Sequence, residues 1–416
     1  MTPGIESSRG SAADRRRPTA RLAPAAVGAV FTMFGLLGGA LSGVLPSLRE
    51  RLHTSASGLS MLLLVGAFCA IAGIQVSGRL ADRYGARRVT LGFLVPLIVG
   101  VAALGMARSL GTALACVVLT GLGKGGSDTS MNALGVQVER ARAAPIMSRL
   151  HAMYSVGVLS GSGLVAVVPT VSGRSGARVA PVVLLAIAAL SVAGWLALLR
   201  ALPDPPPRDH EPAAPRPRRA GAGTLVWELA ALNVALMLIA GTAADWSSVQ
   251  VTDVGRVDAG TGAFGLTAFS AAMMAVRFGG DGAIRRIGRV RAVRAGAVVA
   301  LAGYLVVVTA SPFALLLVGW AVVGAGVAVI APSVYAAAAY LGGGRTLAVV
   351  TSAGSLTSLA APPLIGAVYH WQGPRAAMLI PLVLCLVTAR LAGALRPAVA
   401  APVDQGVRVG GDPAPG

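Results

Sequence analysis

Charge is scarce in this chain. Only 12% of its 416 residues are Asp, Glu, Lys or Arg, against 55% hydrophobic ones. A soluble globular domain could not hide so much apolar surface, so the shortage points to a chain that crosses a membrane repeatedly. Lysine is rarer still: Lys124 is the only one, and every other basic residue is arginine. With abundant Ala, Gly and Val, that bias suggests a GC-rich bacterial genome. Cysteine is limited to Cys69, Cys116 and Cys385, all within apolar runs, so neither a disulfide framework nor a metal cluster is expected. The histidines, His53, His151, His210 and His370, show no ligand spacing, and no cofactor is implied. No phosphate-binding G-x-x-x-x-G-K-[ST] loop is present, which excludes a nucleotide of that kind as direct fuel. Clustered acids, or a nucleophile with its base, are also missing, which argues against an enzyme.

What is there is a succession of apolar runs. Twelve candidate spans lie near 22–45, 59–77, 89–107, 111–137, 147–169, 179–200, 224–244, 262–284, 292–310, 313–338, 346–369 and 375–396. A bilayer needs roughly 20 apolar residues per helix. The net charge of +19 could suggest a nucleic-acid partner, but most of the 35 basic residues fall in the two tails, alternate loops and the central linker. That is the positive-inside pattern, which places both termini in the cytoplasm and makes the charge an orienting device. The stretch 1–21 is polar, Arg-rich and lacks the apolar core of a signal peptide, so it reads as a disordered tail, as does 398–416. Residues 201–222 are rich in proline and charge and read as a cytoplasmic linker between halves at 22–200 and 223–397. The fold class is therefore all-α integral membrane, with twelve helices in two pseudo-symmetric bundles of six.

The joint between spans two and three reads Gly78-Arg79-Leu80-Ala81-Asp82-Arg83-Tyr84-Gly85-Ala86-Arg87-Arg88. Gly78 and Gly85 supply close approach and turning, and Arg83, Arg87 and Arg88 can meet phosphates, carboxylates or open helix-end carbonyls. The joint after span eight, Asp281-Gly282-Ala283-Ile284-Arg285-Arg286-Ile287-Gly288-Arg289-Val290-Arg291, is a degraded copy aligned on Gly85 and Gly288. This pattern resembles the signature loop of the major facilitator superfamily, G-x-x-x-D-R-x-G-R-R. The resemblance implies two rocking bundles about a midplane substrate site, with Gly78, Asp82, Arg83, Gly85, Arg87 and Arg88 serving conformational change.

Span four carries Lys124, Asp128 and Asn132, four apart and hence on one helix face. Charges at mid-membrane are costly unless paired or facing a watery cavity. Two readings follow: a self-neutralising Lys–Asp pair, or a face that binds solute, couples protons, or both. Asp128, Asn132, Glu139 and His151 also match a largely uncharacterised bacterial branch of that superfamily, compared with sugar permeases. His151 reads either as a proton relay or as a helix-end histidine bonded to a carboxylate. Glu228, Asp245 and Trp246 mark span seven; Trp246 also reads as an interfacial anchor, and Ala240 stands where the branch carries an acid. Arg277 and Asp281 close span eight and read as a gate pair.

The combined reading is a multi-pass transporter of the bacterial inner membrane, a monomer whose partners are lipid, a small-molecule substrate and protons. Proton-coupled efflux of an amphiphilic compound stands first, on the strength of Val44 and Val329 at positions where the branch suggests polar groups. Import of a small polar solute such as a sugar, and a non-transporting sensor of the same fold, are the alternatives.

Overall fold

The computed structural model describes residues 16–142, 146–173, 175–202 and 222–396. The tail at 1–15, most of the linker read at 201–222 and the tail from 397 lie outside the described residues. Among those described, twelve helices are long and apolar enough to cross a membrane. They are α1 (Pro24–Gly43), α2 (Ala56–Tyr84), α3 (Ala86–Met106), α4 (Leu110–Glu139), α5 (Arg149–Pro169) and α6 (Gly176–Ala201) in the first half. The second half holds α7 (Gly223–Gly255), α8 (Thr261–Phe278), α9 (Arg289–Thr309), α10 (Phe313–Ala338), α11 (Val349–Gln372) and α12 (Pro374–Leu395). Below, the face at which α1 begins is the start face and the other is the far face.

The helices exist because lipid offers no partner to a backbone N–H or C=O, so each segment must satisfy its own. Several run longer than their sequence pattern suggested: helix extends from Arg16 to Gly43, into the stretch read as tail. A short helix, Leu45–Arg51, caps α1 at the far face. The backbone is helical from Ile330 to Gln372, which includes the joint between α10 and α11 and both Pro362 and Pro363.

The two halves repeat the same packing plan. In the first, α1 lies against α5, α2 against α4, α3 against α4 and α3 against α6; in the second, α7 meets α11, α8 meets α10, α9 meets α10 and α9 meets α12. Small residues make these contacts close. A Cβ on Gly39 would stand 2.2 Å from the Val158 carbonyl oxygen across the α1–α5 seam, and one on Gly161 2.2 Å from that of Leu36. A Cβ on Gly125 of α4 would likewise run into the Ala70 carbonyl of α2. Without a hydrophobic force between helices in lipid, such close backbone approach supplies the dispersion energy that holds them.

The paired joints also correspond. Gly85, at φ +84°, ends α2 and opens α3; Gly288, at φ +81°, ends α8's helix and opens α9. A Cβ disfavours that region, so both turns call for glycine. Gly78 differs from expectation: nothing lies within 4 Å of its Cβ direction, so it mediates no close approach in this conformation.

Gly39→Leu is expected to overpack the α1–α5 seam and cost about 1–3 kcal/mol of stability. The check is thermal unfolding of the detergent-solubilised protein, where an unchanged Tm would show that the seam yields.

Candidate functional site

Lys124 lies near the middle of α4, and the helix divides sharply around it. Gly125 and Gly126 pack against α2 and α3, and Ser127 is buried beside them, whereas Lys124 and Asp128 are exposed. The face they share looks into the protein and not at lipid, because residues from the other helices meet it. Asp245 of α7 is within electrostatic reach of Lys124. Tyr154 of α5 is within reach of Asp128, Asp245 and Arg277 together. Tyr335 of α10 is likewise within reach of Asp128, beside Asn233. Five helices, three of them from the second half, therefore bring polar groups around one interior space, to which Lys124 and Asp128 are exposed.

Polar partners inside it are few. Asn132 donates its amide to the Asp128 carbonyl at 2.8 Å and to the carboxylate Oδ1 at 3.3 Å. Lys124 and Asp128 are not within ion-pair distance, so the self-neutralising pair is not what this conformation contains. Among the described residues neither Lys124 nor Asp245 has a hydrogen-bonding or ion-pair partner. Arg277 is engaged: its Nη1 donates to Ser155 Oγ at 3.3 Å and its Nε to the Ala328 carbonyl at 3.5 Å, tying α8 to α5 and α10. The Asp281 side chain lies outside the described residues, and with it the proposed Arg277–Asp281 pair.

Other candidates separate from the cavity. His151 is exposed and meets Phe31 edge-on at 5.5 Å, with Arg277 in reach and no carboxylate bonded to it among the described residues. Glu139 accepts from the backbone N–H groups of Ile146 (2.7 Å) and Met147 (2.9 Å), which caps the start of α5. Glu228 is on the same helix as Asp245 but roughly 25 Å away at 1.5 Å per residue, and it does not join the cluster. Trp246 is 2% exposed and packs on Tyr369 at a ring separation of 5.0 Å. It is neither an interfacial anchor nor a cavity-lining group.

At the α2–α3 joint, Arg87 donates to the Leu199 carbonyl of α6 at 2.8 Å, the helix-end contact anticipated for this cluster. Arg83 lies 5.2 Å from the Tyr84 ring. Asp82 and Arg88 are exposed on the same surface.

The far face holds a group that sequence reasoning missed. Arg49, on the short helix after α1, binds the Asp253 carboxylate at the end of α7 with both guanidinium nitrogens, one at 2.6 Å. Tyr369 of α11 donates to the same carboxylate at 2.8 Å. The Asp253 hydrogen bond drives the Arg49 pKa further upward against burial, so the guanidinium stays charged at any physiological pH. Beside it, burial raises the Glu50 carboxyl, opposed by Arg49. The seam continues where Gly366 of α11 packs on Ser60 of α2 and Gly260 on Pro169. These contacts join the halves on the far side of the cavity. Arg49 and Asp253 are 204 residues apart, and no local pattern links them.

The sequence profile of the Major Facilitator Superfamily matches residues 25–253. The chain is 30% identical over 320 residues to an uncharacterized transporter of Sinorhizobium fredii, covering 75% of this chain and 81% of that one. It is 27% identical over 375 residues to the membrane protein MosC of Rhizobium meliloti, covering 89% and 90%. Among solved structures, a bacterial homolog of the human lysosomal transporter Spinster, inward-facing and unoccupied, superimposes with a TM-score of 0.68 at 14% identity, covering 91% of this chain and 98% of that one. The nucleoside transporter NupG gives 0.66 at 12% identity, covering 89% and 98%. Helices, repeat and profile agree: the chain belongs to the Major Facilitator Superfamily and is a multi-pass membrane transporter of that type.

Proposed function

We propose that the protein is a proton-coupled secondary transporter of a small polar solute, working by alternating access in the bacterial inner membrane. One observation carries the reading. The first half presents Lys124 and Asp128, and the second presents Asp245, across one cavity without direct ion pairs. Charges at that depth are retained where they meet solute, ions or one another during a cycle. Asp128 and Asp245 are the groups that exchange protons, and Asn132, Tyr154, Asn233 and Tyr335 supply hydrogen-bonding capacity around them. The bias of arginine toward the tails and alternate loops supports cytoplasmic termini.

The charged groups gathered in the interior, Lys124, Asp128, Asp245 and Arg277, weigh against the amphiphilic substrate favoured from sequence. One ground for that preference, Val44, is fully buried and so presents nothing to a solute. Efflux of an amphiphile stays as a second reading because Val329, the other ground, is only half-buried.

Alternating access needs a barrier that forms and breaks. The Arg49–Asp253–Tyr369 cluster is that barrier on the far side, with Arg277 and the α2–α3 joint acting at the start face. Breaking it leaves a half-buried carboxylate and guanidinium that far-face water can reach, which makes the step reversible.

Reconstituted in vesicles, Asp128→Asn and Asp245→Asn should each abolish flux driven by a pH gradient while leaving the Tm near that of the unsubstituted protein. Full flux in both at several pH values would remove the carboxylates from the coupling. Hydrogen bonds to charged groups contribute about 1.5–3 kcal/mol. Arg49→Ala should therefore shift the population toward far-face opening by about tenfold or more. Labelling of Ser60→Cys from the far side reads this directly, and no gain in labelling would rule out a barrier at Arg49.

A further inference from the structure

The lone lysine points to the class of solute. An ammonium group near the middle of a membrane helix costs several kcal/mol unless an opposite charge or water compensates it. Lys124 has two carboxylates in electrostatic reach, Asp128 on its own helix and Asp245 on α7, yet it is bonded to neither. Asp128 is held back by Asn132, and Asp245 belongs to the other half of the molecule. The second cation of the cavity is already occupied, since Arg277 donates to Ser155 and to the Ala328 carbonyl. Among the described residues Lys124 thus makes no hydrogen bond or ion pair.

We propose that Lys124 seats an anionic group of the transported solute, a carboxylate or comparable oxyanion, and that uptake of one proton by the Asp128–Asp245 pair completes the seat. This rests on the transport reading and specifies its substrate. While the carboxylates are ionised they supply Lys124 with diffuse countercharge. Once one of them is protonated that countercharge is halved, and the ammonium requires an anion from the solute. Proton binding therefore raises anion affinity, and by linkage anion binding raises proton uptake.

The charge count agrees. Among the described residues lining the cavity, Lys124 and Arg277 balance Asp128 and Asp245. One proton entering with one monoanion preserves that balance, whereas either alone would strand a charge in a poorly solvated site. The remaining groups facing the site do not upset it. Tyr154 and Tyr335 are phenols, and His151 lies apart, against Phe31. An amine would compete with Lys124 for the same carboxylates, and an uncharged polyol would leave Lys124 uncompensated.

The test is calorimetric binding to the full chain in detergent, using matched probes: glucuronate against glucose, and benzoate against benzyl alcohol and benzylamine, at about pH 5.5 and about pH 7.5. At least one acid should bind about tenfold or more tightly than its uncharged and amine counterparts, within the usual span of coupling between sites. It should tighten at the lower pH, with binding heats that depend on the buffer's ionisation enthalpy because protons are taken up. Lys124→Gln should lose the preference for the acid and Lys124→Arg should retain part of it. Should Lys124→Gln fail to fold, the probe comparison and its pH dependence in the unsubstituted protein still decide. Equal or tighter binding of the uncharged or amine probes, no binding of either acid, or an unchanged preference in a folded Lys124→Gln would each overturn the proposal. Acid binding without vesicle flux would instead overturn the transport reading and leave the seat intact.

Discussion

Lipid forbids an unpaired charge, and the arrangement of α4 is the answer to that constraint on which the rest depends. One face of the helix is made of small residues that let α2 and α3 approach until backbone meets backbone, as at Gly125 and Ala70. That contact fixes the rotation of α4 about its axis. The opposite face, with Lys124, Asp128 and Asn132, then has to look inward, where Tyr154, Asp245 and Tyr335 meet it. Close packing and the polar cavity are two consequences of a single helix orientation.

Duplication supplies the other half of the cavity. The pairing of α1 with α5 and α2 with α4 recurs as α7 with α11 and α8 with α10. Between the copies the backbone plan is preserved while the chemistry diverges. Gly85 and Gly288 hold nearly the same dihedrals, yet Arg285 stands where the first joint has Asp82. The cavity inherits this asymmetry. Each half contributes one carboxylate and one cation, but the Arg277 guanidinium is engaged with Ser155 of α5, whereas among the described residues Lys124 is bonded to none. Such a site can respond differently to proton and solute, which a symmetric one could not.

The far-face link is a polar tie between the halves. Arg49 engages both oxygens of Asp253, and Tyr369 bonds the same carboxylate from α11 while Trp246 stacks against its ring. A planar guanidinium on a carboxylate is specific in direction and reversible in water, whereas an extended apolar seam would resist parting. The tryptophan that sequence reasoning placed at a lipid interface or in the solute path proves to brace this link.

By itself the sequence determined the number of membrane helices, their division into two halves, the glycine turns and the shared face of Lys124, Asp128 and Asn132. All of these follow from local rules: the length of apolar runs, the φ requirement of a tight turn, and the helical repeat of 3.6 residues. The tertiary structure alone decided which charged groups meet. It brought Asp245, Tyr154 and Tyr335 to the α4 face and left Glu228 behind on the same helix as Asp245. It also turned Glu139 into a helix cap and paired Arg49 with Asp253 across 204 positions. A side chain's neighbours across a bundle depend on how each helix is rotated and where each half sits. Those quantities are set by the summed packing of many small residues and are not written in any one stretch of chain.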